Sequence, residues 1–313
     1  MSVDFLNSEQ VLLYARKNFG DVISCELQGG GLANYVYRLT YSNRTTILKY
    51  YPPYLSSNTA YSFSQERYFV EKEALQVFSD LSTDKIKVPK LLQSIDEEYV
   101  LIMEDAGEDI ISLTQFFKND YAGLTWDCLH SSIVEFLATL HQYDISTLTE
   151  LFKNPLARET NEMFYSNLRS QQLPSLEAFS TTQLPKVPRK PSIIMGDLWP
   201  NSIYLNFETR KVWIIDWEFA RFGKGFDDVA QCVGNLWLME QKGNVYNAMA
   251  VKRFRQDLVK EYLFKTKTNI ERDDQIRCLM YIVLLTRFPN WTFHNPEEVI
   301  NIAVKNFNGL LLE

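Results

Sequence analysis

The stretch Ser192–Phe226 reads SIIMGDLWPNSIYLNFETRKVWIIDWEFARFGKGF. Three short runs rich in β-branched or aromatic residues are separated by a Pro-Asn pair and by the polar turn N-F-E-T-R-K, a pattern that predicts a strand, a loop and a hairpin. Asp197 lies in the turn-rich segment after the first run, and Asp216 follows the last run. The hairpin is therefore expected to bring two carboxylates to one end of a sheet.

Two acids placed in this way suit phosphoryl transfer. One carboxylate accepts the proton of the attacking hydroxyl, and the other holds the magnesium ion that bridges the nucleotide phosphates. The alternative is structural, because aspartates also stabilise turns through bonds to their own backbone. This stretch alone leaves both interpretations open, and the sequence on its N-terminal side adds the next evidence.

Three consecutive glycines, Gly29, Gly30 and Gly31, lie between the predicted strands Val22–Leu27 and Tyr35–Tyr41. Glycines are used where the backbone needs positive φ or must approach a neighbour closely. Bare amides in such a loop can bind phosphate, although a plain hairpin turn explains the glycines equally well.

A lysine and a glutamate follow at informative positions. Lys49 ends a third predicted strand, T-T-I-L-K-Y, and Glu71 and Glu73 lie on a predicted helix from Phe63 to Phe78. A lysine inside an apolar strand requires a carboxylate or phosphate partner, since an unpaired buried charge is costly. Taken alone, Lys49 also fits an edge-strand lysine that reaches water, and Glu71 and Glu73 also fit the solvated face of a helix. The order of glycine loop, strand lysine, helix glutamate and two distal acids matches a kinase-type phosphate site.

Two further predicted strands, Val88–Gln93 and Tyr99–Glu104, complete a five-stranded antiparallel sheet with one main helix. The segment M-E-D-A-G at 103–107 then breaks the pattern and marks a lobe boundary. We therefore expect a bilobal α+β protein of the protein-kinase-like kind, with a nucleotide-binding lobe at 1–104 and a catalytic and substrate-binding lobe at 105–313. Backbone groups of Glu104, Asp105 and Ala106 are expected to meet the adenine edge of a nucleotide.

The second lobe is predicted to be mostly helical around the catalytic hairpin. Residues 151–191 contain several prolines among Ser, Thr and Gln, which predicts a loop or a substrate-covering insertion. Helices are predicted from apolar periodicity at Ser131–His141, Asp228–Met239, Tyr246–Lys265, Gln275–Arg287 and Pro296–Leu311.

Composition excludes several classes of function. The chain has 313 residues, of which 46% are hydrophobic and 23% charged, so it can bury a large core. Its net charge of −7 argues against a nucleic-acid partner. No signal peptide or membrane span is expected, and the four scattered cysteines suit a reducing, cytoplasmic setting rather than a zinc site or disulfide framework. The oligomeric state is left open.

The motifs together resemble the aminoglycoside phosphotransferase family of small-molecule kinases, which includes choline kinases. The resemblance rests on G-G-G-x-x-N-Y-V-Y-R-L, I-L-K, M-E-D-A-G, G-D-L-W-P-N-S-I and I-D-W-E-F-A, and methylthioribose kinases look most similar. It implies that Asp197 is the catalytic base, that Asp216 holds magnesium and that Lys49, partnered by Glu71, binds phosphate. It also implies roles for Asn34 in the phosphate-covering loop, for Ser202 in magnesium binding and for Asp228 in supporting the catalytic loop.

Two positions depart from the family pattern. Met195 stands where the family usually has a histidine, two residues before the catalytic acid, and Ser202 stands where it usually has a magnesium-binding asparagine. Ser202 can still offer a neutral oxygen to magnesium, and Asn201 lies next to it. Met195 is interpreted as a core-filling side chain, because both acids remain.

We therefore expect an ATP- and Mg²⁺-dependent kinase that acts on a hydroxyl of a small molecule. The remaining wall of the site, with Trp199, Glu218 and Arg221, is expected to contact the acceptor. It offers few carboxylates for a polycation, which favours a neutral or weakly charged sugar-like compound, with methylthioribose first and ketosamines second. The alternatives are an impaired kinase-fold binding protein and an aminoglycoside-type kinase; the absence of H-R-D and A-P-E motifs disfavours a protein kinase.

Overall fold

The computed structural model describes residues 3–29, 31–288 and 291–312. The N-terminal part contains two principal helices and several strands. They are α1 (Ser8–Phe19), β1 (Ser24–Gln28), β2 (Tyr35–Thr40), β3 (Thr45–Tyr50), β4 (Tyr54–Leu55), β5 (Asn58–Ser62), α2 (Arg67–Phe78), β6 (Ile86–Lys87), β7 (Leu91–Ile95) and β8 (Val100–Glu104).

The predicted five-stranded antiparallel sheet is confirmed, with strand order β1-β2-β3-β8-β7. Both of its faces are covered. Leu48 and Ile102 pack with Val11 of α1 in one apolar cluster, whereas Leu101 and Met103 join α2 in a second, larger cluster. Alternation along the strands therefore sends neighbouring residues into different cores.

The C-terminal part is mostly helical, as predicted. Its elements are β9 (Ile110–Ser112), α3 (Leu113–Phe116), α4 (Leu129–His141), α5 (Pro155–Arg169), β10 (Ser192–Ile194), β11 (Ile203–Asn206), β12 (Lys211–Ile214), β13 (Arg221–Gly223), α6 (Phe226–Glu240), α7 (Ala248–Thr266), α8 (Arg272–Leu285) and α9 (Pro296–Lys305).

The predicted loop at 151–191 is wrong in its first half, where α5 runs for 15 residues. Pro155 occupies the start of the helix, and the Asn154 side chain accepts a hydrogen bond from the Ala157 amide at 3.1 Å. A proline at this position favours a helix start, because the first turn has no use for its missing N–H. Only four residues of α5 are buried and one is an asparagine, so the apolar stripe is weak: Ala157, Asn161, Tyr165 and Leu168.

The predicted catalytic hairpin is present as β11 and β12, with Ile203 opposite Ile214. It belongs to a four-stranded sheet of order β6-β12-β11-β9, in which β6 pairs with β12 in parallel. The strand before the catalytic loop, β10, does not join this hairpin but pairs with β13. Both ends of the D-W-E-F-A segment are therefore held by strands.

The helix α2 connects the sheet of the N-terminal part to the helical part. Its last residue, Phe78, has its ring centroid 5.5 Å from Phe152 and 5.3 Å from Trp217. All three side chains are buried in the larger cluster. The lobe boundary at residue 104 stays a prediction, and the core does not divide there.

Within the described residues, no helix is both long and apolar enough to cross a membrane.

Candidate active site

The loop at 195–202, between β10 and β11, carries Asp197 and is called the catalytic loop. It turns sharply at Gly196, where φ is +78°. A Cβ atom at this position would lie 2.1 Å from the carbonyl oxygen of Phe219 and 2.3 Å from Nη1 of Arg221. Only glycine tolerates both this backbone conformation and this close approach. The residue before Asp197 is therefore determined by the packing of the loop against the segment after Asp216.

Asp228 anchors the same loop from the first turn of α6. Its two carboxylate oxygens accept hydrogen bonds from the backbone amides of Met195 and Gly196, both at 2.8 Å. The carboxylate is fully buried and also lies 3.2 Å from Nε2 of His141, whose Nδ1 lies 2.7 Å from the Tyr262 hydroxyl. These contacts are what a loop-supporting role for Asp228 requires. Met195 is buried and apolar, so its side chain cannot provide the polar contact of the usual histidine. His141 provides a polar contact to Asp228 from another helix.

Asp197 follows this anchored turn. Its Oδ1 accepts a hydrogen bond of 2.6 Å from Nε2 of Gln231, one helical turn after Asp228 in α6. Burial raises the pKa of Asp197 to about 7, aided by the carboxylates of Asp216 and Glu218 and opposed by the Gln231 hydrogen bond. A carboxyl with this pKa can take up a proton near neutral pH. The sequence analysis assigned no role to Gln231, because the pattern does not show that its amide reaches Asp197.

Asp216 follows β12 and adopts a left-handed backbone conformation, with φ of +66°. Nζ of Lys49 lies 2.7 Å from its Oδ1 and 2.8 Å from Oε2 of Glu71. The Tyr51 hydroxyl also donates to Glu71, at 2.6 Å. Burial opposes the charge on Lys49, but the two carboxylates outweigh it and raise the pKa of Lys49. The predicted residues Lys49, Glu71 and Asp216 thus form one contiguous group.

Magnesium would bind largely through Asp216, whose side chain is 35% exposed. No group of three or more His, Cys, Asp or Glu side chains suited to a metal occurs among the described residues. Additional ligands would therefore come from nucleotide phosphates, water and neutral oxygens.

Ser202 is the predicted neutral ligand, and in the structure its hydroxyl is engaged within the loop. Its hydroxyl is fully buried, accepts a hydrogen bond from the Trp199 amide at 3.1 Å and donates to the Trp199 carbonyl at 2.8 Å. Asn201 is half-buried, and in the described part of the chain its side chain makes no hydrogen bond. The amide oxygen of Asn201 is the better candidate.

The predicted nucleotide-binding residues fall into two groups. Gly29 and Gly31 flank Gly30, which lies outside the described residues, and a Cβ at Gly29 would meet no atom within 4 Å. At the predicted hinge, Glu104 ends β8, Asp105 pairs with Arg38 at 2.7 Å, and the Ala106 carbonyl accepts from Asn206 at 2.8 Å. Any adenine contact there would fall to backbone groups that these bonds leave available.

The predicted acceptor wall is not a single surface. Trp199 is partly exposed. Glu218 is instead buried and bonded to Asn34 and Arg67, and Arg221 is buried with Nη1 donating to the Gly196 carbonyl at 3.2 Å. The acceptor contacts of Glu218 and Arg221 and the phosphate contact of Asn34 stay predictions, and in the structure these side chains bind protein groups.

A groove of about 810 Å³ runs along the outer face of α5 and the segment after it. It is lined by Arg158, Glu159, Glu162, Arg169, Thr181, Thr182, Gln183 and Leu184. Its walls do not include the two acids, and it carries no part of the argument for catalysis.

Residues 24–264 match the model of a family described as the phosphotransferase enzyme family. The chain belongs to this family. The resemblance inferred from the motifs is confirmed, and the protein is a phosphotransferase.

Characterised relatives of this family member are small-molecule kinases. The chain is 24% identical to 4-hydroxytryptamine kinase of Psilocybe cyanescens over 98% of its own length and 94% of that protein. It is 28% identical to methylthioribose kinase of Bacillus mycoides (strain KBAB4), over 69% of its own length and 61% of that protein.

Solved structures share the fold at low sequence identity. A choline kinase from Cryptosporidium parvum Iowa II aligns with a TM-score of 0.60 and 11% identity, covering 97% of this chain and 95% of that one. Aminoglycoside phosphotransferase APH(4)-Ia aligns with a TM-score of 0.57 and 12% identity, covering 97% and 98%. The predicted α+β, protein-kinase-like fold is confirmed.

Proposed function

We propose that the protein is an ATP- and Mg²⁺-dependent kinase that phosphorylates a hydroxyl group of a small molecule. The observation that carries the proposal is the Lys49–Glu71–Asp216 group, together with Asp197, which Gln231 holds close enough to Asp216 for that carboxylate to raise its pKa. One side of the site can accept a proton, and the other offers a cation and a metal-binding carboxylate to phosphates. The site lies between lobes proposed at 1–104 and 105–313.

The residues divide the work as follows. Asp197 orients the acceptor hydroxyl and takes its proton as the oxygen forms a bond to the γ-phosphorus of ATP, while the bond from that phosphorus to the ADP oxygen breaks. Lys49 binds phosphate oxygens, and Glu71 keeps the ammonium group in place. Asp216, assisted by Asn201, would hold Mg²⁺, which neutralises charge on the phosphates when bound. Asp228 and Gln231 keep the loop and the base in position.

The acceptor is proposed to be a small hydroxylated compound. Trp199 remains the one predicted acceptor contact with an exposed face, and it suits the apolar side of a sugar or an aromatic ring. Methylthioribose stays a first compound to test. 4-Hydroxytryptamine joins it, because the relatives of that name align over nearly the whole length of both chains. We place the protein in the cytoplasm, consistent with its free cysteines.

The test is a phosphotransfer assay with labelled ATP, with and without Mg²⁺, on a panel containing both compounds, ketosamines and aminoglycosides. Asp197→Asn should reduce turnover by at least a hundredfold while leaving nucleotide binding nearly unchanged, whereas Asp216→Asn should weaken Mg²⁺–nucleotide binding. Asp120→Asn, which changes an exposed acid far from any motif, is the matched control. Equal losses of nucleotide binding in both site variants would contradict the division of roles.

A further inference from the structure

A fully buried arginine, Arg67, lies at the start of α2 and belongs to none of the predicted site groups. Its guanidinium donates to the carbonyls of Pro52, at 2.8 Å, and of Phe63 and Ser64. It thereby ties the end of β3, the end of the β4–β5 hairpin and α2 together. Burial of a guanidinium is costly unless its charge is also compensated.

The compensating charge is the carboxylate of Glu218, in the D-W-E segment that begins at Asp216. Nε of Arg67 lies 3.1 Å from Oε2 of Glu218. The Asn34 amide bridges the two groups, since its nitrogen donates to both Glu218 oxygens at 3.1 and 3.0 Å and its oxygen accepts from Nη2 of Arg67 at 3.0 Å. All three side chains are buried, so each satisfies the others away from water.

This triad completes a docking pattern along one face of α2. Arg67, Glu71 and Phe78 are spaced by four and seven residues, which places them on the same side of a helix. Each faces one member of the D-W-E segment. Arg67 pairs with Glu218, Glu71 reaches Asp216 through Lys49, and Phe78 packs against Trp217. Three consecutive residues are thus held by a single helix.

The pattern matters because Asp216 itself is strained. A residue other than glycine in the left-handed region pays about 1 kcal/mol or more, and it keeps that conformation only where neighbouring contacts impose it. The core fixes the position of the Trp217 side chain, and Arg67 fixes that of Glu218. If the hold on Glu218 is removed, Asp216 can relax towards an unstrained backbone and move its carboxylate.

We propose that Arg67 is a positioning residue: through Glu218 and Asn34 it fixes the carboxylate of Asp216 for Mg²⁺–nucleotide binding. This inference rests on the proposed kinase function. It differs from a purely structural role for the triad in one respect, because the loss of Arg67 should affect the metal-dependent part of nucleotide binding specifically.

The experiment is a calorimetric titration of ADP into the full-length protein, with Mg²⁺ and with EDTA. Arg67→Met should raise the Kd for ADP at least tenfold with Mg²⁺ and less than threefold without it. Lys72→Met is the matched control, since Lys72 lies on the same helix and pairs with Asp96 at 2.7 Å on the exposed side. That variant should bind ADP as the wild type does in both conditions. Arg67→Lys should not restore binding, because an ammonium group cannot make all the bonds of the fork.

A second variant, Glu218→Gln, keeps the inference testable if Arg67→Met does not fold. Glu218→Gln keeps an oxygen for Asn34 and removes the charge facing Arg67, so it should show the same selective loss with Mg²⁺, and the double variant should be no worse than the more affected single one. The inference is overturned if folded Arg67→Met binds Mg²⁺–ADP like the wild type, or if it loses ADP equally with and without Mg²⁺. A wild-type protein that binds no ADP in either condition would instead overturn the proposed function.

Discussion

Replacing Asp197 with asparagine should stabilise the protein while it lowers turnover by at least a hundredfold. The ordinary pKa of the group is 3.8, and in the folded protein burial and two nearby carboxylates raise it to about 7. A pKa raised on folding means that the folded state resists ionisation, so the contribution of Asp197 to stability is greatest below pH 3.8 and is lost as the pH rises from there through 7. Asparagine has nearly the same shape, keeps an oxygen for Gln231 and carries no charge, so the variant escapes this loss.

The size of the effect follows from the two pKa values. Their difference corresponds to roughly 4 kcal/mol if it is expressed in full. Asp197 retains some exposure, and water will reduce the penalty, so we expect a gain of roughly 2 to 4 kcal/mol at pH 8. For a chain of this length that gain should raise Tm by about 3 to 6 °C. At pH 5 most of the difference should vanish, because the unfolded carboxyl is then close to its own pKa.

The assay is thermal unfolding of both proteins between pH 5 and pH 9 in EDTA, since a metal at Asp216 would relieve the repulsion. Asp120→Asn serves as the control for removing an exposed charge. The reasoning is refuted if Asp197→Asn is less stable than the wild type at pH 8, or if its advantage does not change with pH. A companion measurement is the pH profile of kcat/KM, which should fall below about pH 7 as the base becomes protonated.

Other substitutions test the loop and the metal site. Asn201→Ala should raise the Mg²⁺ concentration needed for half-maximal activity. Ser202→Ala should leave that concentration unchanged and lower Tm, because the Ser202 hydroxyl is already bonded within the loop whereas the Asn201 side chain is not. The reverse result in a magnesium titration would support Ser202 as the ligand. Asp228→Asn should cost roughly 2 to 4 kcal/mol in urea unfolding and lower kcat, since an amide can accept only one of the two bonds to the loop. Gly196→Ala should lower the free energy of unfolding by about 3 kcal/mol or more, because the new Cβ has no space. Gly123→Ala is the control and should change stability little, because no atom lies within 4 Å of its Cβ. Similar values for the two variants would argue against the close approach of Gly196 to Phe219 and Arg221.

The sequence by itself determined the family, the fold class and the members of the central group. Alternating strands, the isolated Lys49 and the two acids at strand ends are local patterns, and each is written in a few adjacent residues. The structure assembles Lys49, Glu71 and Asp216 within hydrogen-bonding distance. Such patterns are readable because the periodicity of a strand or helix is a property of neighbouring residues.

Tertiary structure alone decided how the outer residues are used. The sequence predicts Glu218 and Arg221 as acceptor contacts because they follow Asp216, yet their partners in the structure come from other parts of the chain. Glu218 pairs with Arg67 and Asn34, and Arg221 bonds to the carbonyl of Gly196. A charged side chain shows its residue type in the sequence but not its partner.

The same reason explains why the α5 segment was predicted as a loop and why Gln231 was not predicted to contact Asp197. The helix α5 buries few apolar side chains, so its periodicity is faint, although it packs against α8 and places Asn161 3.2 Å from Arg277. Gln231 contacts Asp197 only because Asp228, three residues earlier on α6, binds the catalytic loop. Local pattern determined which chemical groups the site has, and long-range packing decided which of them remain free to act, because a buried polar group must take its partner from whatever the fold brings beside it.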